Sequence, residues 1–561
     1  MKTNYINIKG IKAVAISLPL LLASCGLDTE SLTDLNDQTA YRNQEAVEMA
    51  LAGCYDGWQR TVSSEGLGMY LTAELASDQA HGGLGFSDAK NNNAIDQFDL
   101  SIAPSYNDMF NTDWKNFYAA IFRCNKVIAN ADVTAWDSES AKGRTLGEAH
   151  ALRALLYFDL ARLFGDVPLI TEPTEANLPR TAADEVYGLI FQDFKFAAAN
   201  IPADAYPIAS RNSNDGRITK YAAEALLARA YLYYKGYYGK SDAECAAIGC
   251  SQADATAALK DVIDNGGYEL EASYADLFMP ACTKDASSGS TYAWDTTFKG
   301  KYYNNGWTGD ISKEVILNMK FAVTQDYNGN ADGNTFCVYL GPRNKHATSM
   351  LIASGWGCCS VTQAFVDKFK NDARFTTCCW SCDAAGFSAD LDDTYEYTGY
   401  YTRKYAPMVF SDGTRQEVAF KLGEQHQNIT YYQDWTIMRY ADVLLMYAEL
   451  TQDASYIKKV HLRSNPSDGK NITMADLNDE RAIEFAFEGI HFWDLMRMEK
   501  DGAAAGRAIA EAQNGATVFN GGVETKASFK LDNFTAKKGL MQIPNTQITL
   551  SGGVLTQNAG W

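Results

Sequence analysis

The sequence is poor in several features that define large protein classes. Its 49 lysines and arginines are outnumbered by 69 aspartates and glutamates, which gives a formal net charge of −20. A surface of this sign repels the phosphates of nucleic acids, so we exclude nucleic acid as a partner. After the first 24 residues no apolar run approaches the roughly 20 residues that a transmembrane helix needs. The body of the chain is therefore predicted to lie outside the lipid.

Short enzyme motifs are absent as well. There is no Gly-x-Ser-x-Gly elbow and no Gly-x-x-x-x-Gly-Lys phosphate loop, and the six histidines lack His-x-x-x-His spacing. A glycoside hydrolase needs only two carboxylates that converge in space, so this class stays open as an alternative. We predict no catalytic residues, no metal ligands and no cofactor.

One segment has a weak likeness to a calcium-binding loop. Asn328, Asn330, Asp332 and Gly333 have the right residue types, but Tyr339 stands where a bidentate glutamate should close the loop. We interpret the segment as a hydrophilic turn, and a structural calcium ion has no further support.

The first residues are typical of an exported bacterial lipoprotein. Three lysines precede a short apolar run, Ala13–Leu22, and small residues then lead to Cys25. The run is too short to span a bilayer, although it could instead begin a buried helix. We predict that residues 1–24 are a signal peptide, that Cys25 carries the lipid, and that residues 25–42 form a tether.

The other cysteines leave several alternatives open. Twelve cysteines become eleven once Cys25 is lipidated, and an odd number leaves at least one unpaired within the chain. Cys245 and Cys250 bracket a short turn and could pair. Five more crowd one region: Cys358, Cys359, Cys378, Cys379 and Cys382. Their adjacent Cys-Cys pairs lack the paired Cys-x-x-Cys spacing of a zinc site, so we favour disulfides or buried thiols.

Helical periodicity dominates much of the chain. Apolar residues recur at three- and four-residue steps in segments that we predict as helices: Asn43–Thr61, Trp114–Ala129, Thr145–Phe164, Thr181–Ala199, Lys220–Lys235, Ala253–Asn265, Trp435–Glu449 and Leu477–Lys500. Ala-rich paired helices with interleaved aromatics resemble tetratricopeptide-type hairpins. We predict a mostly α fold in which residues 43–279 form a tetratricopeptide-like scaffold.

The texture changes in the second part of the chain, residues 280–561. From about 280 to 430 the sequence is rich in Gly, Asn, Thr and aromatics, with a strand-like run at Glu314–Phe321. Long irregular segments of this kind are usually functional, so we expect this loop-rich insertion to carry the ligand face. Closing helices are predicted over 435–500.

Three carboxylates at four-residue spacing, Glu480, Glu484 and Glu488, could suggest acid/base or metal chemistry. We favour structural ion pairs instead, since aromatic residues surround them and three arginines are available: Arg439, Arg481 and Arg497.

Several sequence blocks carry a family resemblance. In chain order they are Tyr118–Ile121 with Arg123–Asn125, Gly147–Ala149 with Leu152–Phe158 and Phe164–Leu169, Met438–Asp442 with Ala448–Glu449, Glu480–Arg481 with Glu484–Gly489 and Trp493–Leu495, and Gln557–Trp561. Together they resemble the SusD/RagB family of outer-membrane nutrient-binding lipoproteins. One departure is Ile490-His491, where the family more often has a His-Arg pair.

The resemblance implies a SusD-like fold and a non-catalytic receptor on the cell surface. Such proteins bind oligosaccharides, or peptides in some members, and cooperate with a SusC-like TonB-dependent outer-membrane transporter. A lipid-anchored glycoside hydrolase and a helical-repeat scaffold without a small ligand are the alternatives from other classes.

A glycan site needs flat aromatic faces with polar groups at their edges. The platform candidates in the insertion are Trp294, Tyr302, Tyr303, Trp307 and Trp356. His81 and Phe86 lie in an early Gly-rich loop that, by the family resemblance, contributes to the ligand site. Each of these aromatics could instead cover the core.

Overall fold

The computed structural model describes residues 40–63, 68–174, 176–207, 216–282, 284–285, 303–304, 308, 312–321, 333–343, 354–382, 391–407 and 433–561. The predicted signal peptide, Cys25 and the calcium-like segment up to Asp332 lie outside these residues. Over the described part the fold is mostly α-helical with short paired strands, as predicted. None of the helices described there is long and apolar enough to cross a membrane.

The first half of the chain consists of helices whose ends follow local chemistry. They are α1 (Gln44–Ser63), α2 (Met69–Leu75), α3 (Asn91–Asp96), α4 (Asn111–Ala129), α5 (Glu139–Phe164), α6 (Ala183–Asn200), α7 (Lys220–Tyr237), α8 (Asp242–Ala247) and α9 (Gln252–Asn265). The Ser138 hydroxyl accepts a hydrogen bond from the Ala141 amide at the start of α5, and Gly165 follows its end with φ of 71°. These signals are the ones by which sequence predicts helix ends.

Successive helices pack against one another. α4 contacts α1 and α5, α6 lies between α5 and α7, and α7 also contacts α9. Nearly every side chain of α5 from Thr145 onward is buried, so this helix is packed on both sides. Such stacking buries apolar faces that a single hairpin would leave in water.

The second half adds shorter helices to the same core. They are α10 (Met279–Cys282), α11 (Phe336–Leu340), α12 (Gln363–Phe369), α13 (Phe375–Cys378), α14 (Tyr440–Thr451), α15 (Ala454–Ser464), α16 (Leu477–Glu484), α17 (His491–Met498), α18 (Ala503–Gln513), α19 (Leu531–Lys537) and α20 (Asn545–Leu550). α14 packs on α9 and α17 on α7, so one continuous hydrophobic core joins the two halves.

Short strands form antiparallel pairs between distant parts of the chain. The strands are β1 (Ala80–Gly83), β2 (Lys284–Asp285), β3 (Tyr303–Asn304), β4 (Val315–Met319), β5 (Cys358–Val361), β6 (Cys379–Ser381), β7 (Tyr400–Thr402), β8 (Trp435–Arg439), β9 (Thr517–Asn520) and β10 (Val523–Lys526). β1 pairs with β5, β2 with β3, β4 with β8, β6 with β7, and β9 with β10. The strand predicted at Glu314–Phe321 is therefore present as β4.

Two predicted helices differ from the structure. The prediction of helix at Trp435–Arg439 is wrong, because these residues pair with β4, and helix begins only at Tyr440. The predicted helix Leu477–Lys500 is divided into α16 and α17. Phe487 and Gly489 have φ of 60° and 71°, a left-handed conformation that interrupts a right-handed helix.

The three carboxylates of the Glu480 segment are paired inside the protein, as predicted. Glu484 lies 2.9 Å from Arg439 and 3.0 Å from Arg374, and Glu480 lies 2.5 Å from Arg374. Glu488 contacts Arg439 as well. The other two predicted arginines have different partners: Arg481 binds Asp442 and Asp494, and Arg497 binds Glu449 and Asp494.

Nine of the ten cysteines whose side chains the structure describes are buried free thiols, and Cys382 is buried as well. The nine include Cys245 and Cys250, both fully buried, and four of the five cysteines of the Cys358–Cys382 region. Of the sequence alternatives, the structure favours buried thiols over disulfides for this part of the chain.

A candidate ligand-binding surface around Phe86

Backbone pairing brings three distant segments together at the end of β1. In the register of β1 and β5, His81 faces Ser360 and Gly83 faces Cys358. The Leu84 amide then donates to the Gly357 carbonyl over 3.0 Å, and the Leu84 carbonyl accepts from the Tyr395 amide over 3.0 Å. The loop after β1 is thereby fixed between residues 355–357 and 391–397.

Phe86 is the exposed aromatic residue of this loop, with 47% of its surface accessible. A tight turn presents it: the Asp88 carboxylate accepts from the Gly85 amide over 3.0 Å, and the Asp88 amide donates to the Gly85 carbonyl over 3.1 Å. A partly exposed apolar ring held on an ordered turn is a ready contact for a ligand.

The Lys90 side chain is hydrogen-bonded to this turn and lies beside a second aromatic ring. Its Nζ donates to the carbonyls of Phe86 and Gly85 over 2.8 and 3.1 Å. The same atom lies 3.8 Å from the ring centroid of Tyr395, within cation–π distance. Partial burial lowers the pKa of Lys90 from its ordinary value, although nearby carboxylates oppose the shift.

Arg343 connects the turn to the neighbouring segment. Its Nη1 lies 3.1 Å from the Asp88 carboxylate, and its Nε donates to the Asp393 carboxylate over 2.9 Å. Burial opposes the charge, yet the hydrogen bond to Asp393 raises the pKa of the guanidinium. We define the Phe86 surface as Phe86, Asp88, Lys90, Arg343, Asp393 and Tyr395.

The hairpin of β9 and β10 completes the support of Phe86. The Gly521 amide donates to the Thr394 carbonyl over 2.8 Å, and Gly521 has φ of 56°. A Cβ atom at Gly521 would lie 3.0 Å from the Phe86 ring. A side chain there would press on the ring, so glycine allows the close approach.

The chemistry of this surface suits a polyhydroxylated ligand. The Phe86 ring offers an apolar face, Lys90 Nζ lies 5.7 Å from its centroid, and the ion pair of Asp88 and Arg343 belongs to the same turn. These charged groups can exchange hydrogen bonds with hydroxyls. Sugars combine apolar ring faces with hydroxyl edges, so both parts of such a ligand would find a partner here.

Two models of known protein families match this chain. The model of the SusD family matches residues 313–561, and a model described as starch-binding associating with outer membrane matches residues 27–232. The chain belongs to the SusD/RagB family. The resemblance seen in the sequence blocks is therefore confirmed.

Individual relatives of this SusD-family chain are distant but extensive. SusD-like protein P38 of Formosa agariphila is 22% identical and covers 88% of this chain and 92% of its own. A SusD-like protein of Bacteroides ovatus is 23% identical, over 86% of this chain and 81% of its own length.

Solved structures share the fold. A laminarin binding SusD-like protein superposes with a TM-score of 0.68 at 24% identity, covering 93% of this chain and all of its own. Surface glycan-binding protein A from Bacteroides thetaiotaomicron in complex with laminarihexaose has a TM-score of 0.70 at 20% identity, over 92% and 99% of the two chains. The mostly α SusD-like fold is confirmed.

The predicted site residues of this SusD-family chain have different locations. Phe86 is exposed, whereas His81 is 0% exposed and lies beneath the loop. Trp356 is partly buried, with its ring edge-on to Tyr339 at 4.6 Å between centroids. Trp294, Tyr302 and Trp307 lie outside the described residues, as does the side chain of Tyr303 in β3.

Sequence reasoning missed Lys90, Arg343 and Tyr395. Lys90 follows Phe86 by four residues and could have been considered with it. Arg343 and Tyr395 reach the surface only through long-range backbone contacts, a bridge from Arg343 to Gly355 and the bond from Tyr395 to Leu84. No local sequence signal marks either residue.

A cleft of about 400 Å³ lies elsewhere on the molecule. Its lining includes Phe365, Phe369, Lys368 and Asp479. The two phenylalanines are only 3% and 8% exposed, so the cleft offers no open aromatic face. The Phe86 surface is the better match for a sugar ring.

Proposed function

We propose that this protein is a cell-surface lipoprotein that binds oligo- or polysaccharide and delivers it, without catalysis, to a SusC-like TonB-dependent transporter. The observation that carries the binding step is the exposed Phe86 ring on an ordered turn that also carries Lys90 and the ion pair of Asp88 and Arg343. The names of structural neighbours support the ligand class, since one is a laminarin binding protein and another is a complex with laminarihexaose.

Binding at such a surface is expected to be modest for a short ligand. Each sugar ring contributes one stacking contact, and part of that energy is consumed in ordering ligand and side chains. A polymer that engages several protein copies on one cell gains through effective concentration. A lipid on Cys25 would keep those copies on the same membrane.

A polysaccharide panel that includes laminarin separates the function classes. The purified chain is run through native gels that contain each polymer, and the same mixtures are analysed for released oligosaccharides. Retarded migration with intact polymer supports the proposal. Released products would favour a glycoside hydrolase, and neither effect with any glycan, but binding of a peptide panel, would favour the peptide-binding alternative.

The anchor and the transporter need separate tests. The full chain with Cys25 intact should incorporate labelled palmitate in its bacterial host, and Cys25→Ser should not. A tagged full chain solubilised from its own outer membrane should copurify with a TonB-dependent barrel protein. Recovery of the tagged chain without a barrel protein would contradict the proposed delivery to a transporter. Glycan binding would still be decided by the native-gel assay.

A further inference from the structure

Three titratable side chains meet in the interior directly beneath the Phe86 surface. His81 of β1, Asp96 at the end of α3 and Glu396 each offer one ligand atom, and these atoms all lie within 4.8 Å of one another. Their exposed fractions are 0%, 0% and 8%. Two carboxylates and an imidazole rarely share a buried space without a charge to balance them.

The imidazole of His81 has nothing to bind among the described residues. Both its Nδ1 and its Nε2 are buried without a hydrogen-bond partner there. Buried polar groups are normally satisfied, so an unpartnered imidazole beside two carboxylates points to a missing ligand. Burial without a hydrogen-bond partner lowers the pKa of His81 to about 4.

Within the described part of the chain, the two carboxylates lack a cation in contact. None of the ion pairs among the described residues includes Asp96 or Glu396. The charge of Lys90 lowers the pKa of Glu396, but Lys90 Nζ donates its hydrogen bonds to the carbonyls of Gly85 and Phe86. Burial raises the pKa of both carboxyls, that of Glu396 to about 7, and the charge of Glu396 raises that of Asp96 further.

Surrounding groups hold both carboxylates in place. The side-chain amide of Gln513 donates to Asp96 Oδ1 over 2.5 Å, and the backbone amide of Gly82 donates to Asp96 Oδ2 over 3.1 Å. The side-chain amide of Asn93 donates to Glu396 Oε2 over 2.5 Å. Metal-binding carboxylates are usually oriented by such outer hydrogen bonds.

The backbone at Glu396 is itself unusual. Its φ of 49° is in the left-handed region, where a residue other than glycine is uncommon. The conformation is fixed by the Glu396 amide, which donates to Asn520 Oδ1 over 2.7 Å. Non-glycine residues held in this region cluster at functional sites, which fits a carboxylate placed for a ligand.

We propose that His81, Asp96 and Glu396 bind one divalent transition-metal ion, for which Zn²⁺ is the probe. A dication would neutralise both carboxylates and satisfy the imidazole. Metal–ligand bonds of about 2.1 Å place the ligand atoms of a tetrahedral ion about 3.4 Å apart, so the three atoms, now within 4.8 Å of one another, would each move toward the ion by less than about 1 Å. Ca²⁺ prefers an all-oxygen shell and is a poor match for His81.

The ion would join β1, α3 and the segment around Glu396, with α18 attached through Gln513. These elements support the loop that carries Phe86. The role is structural and does not depend on what the surface binds, so it stands or falls independently of the proposed function.

Metal content of the full chain tests the site. The protein is stripped with a chelator, reloaded separately with Zn²⁺, Mn²⁺ or Ca²⁺, desalted, and analysed by elemental mass spectrometry. We expect about one Zn²⁺ per chain and no retained Ca²⁺. His81→Gln and Glu396→Gln should lose the ion, and Gln513→Ala should weaken Zn²⁺ affinity by roughly 10- to 100-fold, as outer-shell changes do.

Glu74→Gln is the matched control, because Glu74 is another buried carboxyl whose pKa burial raises to about 7. It lies outside the cluster and should keep full metal content. Equal Zn²⁺ in the wild type and in both ligand variants would overturn the proposal, since the ion would then lie elsewhere. So would a wild type that retains no ion and a Glu396→Gln variant that melts higher, the result expected of an uncompensated acid pair.

If the ligand variants fail to fold, the wild type still gives an answer. X-ray absorption at the zinc edge of the loaded protein should show one imidazole and only oxygen as further ligands. Sulfur or several imidazoles in the shell would place the ion at another site and refute the assignment.

Discussion

Arg439 Nη1 lies 2.9 Å from a carboxylate oxygen of Glu484, and the two side chains are only 2% and 0% exposed. Arg374 and Arg463 contact the same carboxylate. Burial alone would raise the pKa of Glu484, but the guanidinium groups of Arg463, Arg439 and Arg374 hold it well below its ordinary value. The cluster joins β8 to α15 and α16, so it fixes how the closing helices sit on the core.

Replacing Glu484 by glutamine is expected to destabilise the protein strongly. The change removes one negative charge and leaves buried guanidinium groups without full compensation, which costs about 3–5 kcal/mol in comparable cases. Denaturant unfolding should show a lower midpoint. Arg507→Ala is the control, because Arg507 and Glu499 form a pair in which the side chains are 56% and 50% exposed. It should change the unfolding free energy by no more than about 1 kcal/mol, and equal losses in both variants would contradict the assignment.

The pair of His461 and Glu480 predicts a pH dependence of stability. His461 Nδ1 lies 2.9 Å from Glu480, and this hydrogen bond raises the pKa of the imidazole despite partial burial. A pKa raised by folding gives stability that is complete below the unfolded value, about 6.5, and is lost as pH rises through the folded value. The unfolding free energy of the wild type minus that of His461→Gln should therefore be larger at pH 6 than at pH 9. A difference that is flat or grows with pH would contradict this role.

Buried thiols predict slow chemical labelling. Burial raises the pKa of Cys245 to about 11 and of Cys250 to about 12, and both side chains are fully buried. Because the thiolate is the reactive form, an alkylating reagent at pH 8 should spare both in the folded protein and modify both after unfolding. Peptide mass spectrometry locates the label. Resistance of both thiols in the unfolded, unreduced chain would show instead that they form a disulfide.

The sequence predicted those elements whose signals are local. The helix that ends at Phe164 follows from apolar periodicity and from Gly165, and the structure has both. The prediction of helix at Trp435–Arg439 is wrong, because the conformation of this segment is decided by pairing with Val315–Met319, a distant segment. The segment Val315–Met319 is recognisable as a strand by itself, but its pairing with Trp435–Arg439 cannot be seen in the sequence of either segment.

The features of the candidate site also divide into those that the sequence indicates and those that only the fold reveals. Phe86 was identifiable from its Gly-rich loop and the family resemblance. Tyr395 and Arg343 are brought to it by contacts with Leu84, Gly355 and Asp88, which only the folded chain reveals. The burial of His81 was equally invisible, since a histidine between apolar and glycine residues looks the same whether it faces solvent or the interior.

The sharpest test of the Phe86 surface uses two similar phenylalanines. Phe86 and Phe122 are 47% and 46% exposed, and each has a lysine four residues later whose Nζ lies 5.7 or 5.9 Å from the ring centroid. Phe122 lies on α4 of the scaffold, away from the loop after β1. Phe86→Ala should weaken glycan affinity about tenfold, the equivalent of about 1.4 kcal/mol, since one stacking contact is lost. Phe122→Ala should leave it unchanged.

Calorimetric titration with the glycan that the polysaccharide panel selects measures both affinities, and thermal unfolding checks that both variants are folded. The two rings are equal in size and similar in exposure, and each has a lysine at a similar distance. They differ in the other residues around them. A tenfold loss confined to Phe86→Ala would therefore assign the ligand to the surface formed with Arg343 and Tyr395. Unchanged binding in both variants would exclude that surface as the glycan site, and equal losses would show that ring removal acts through the fold rather than through contact with the ligand.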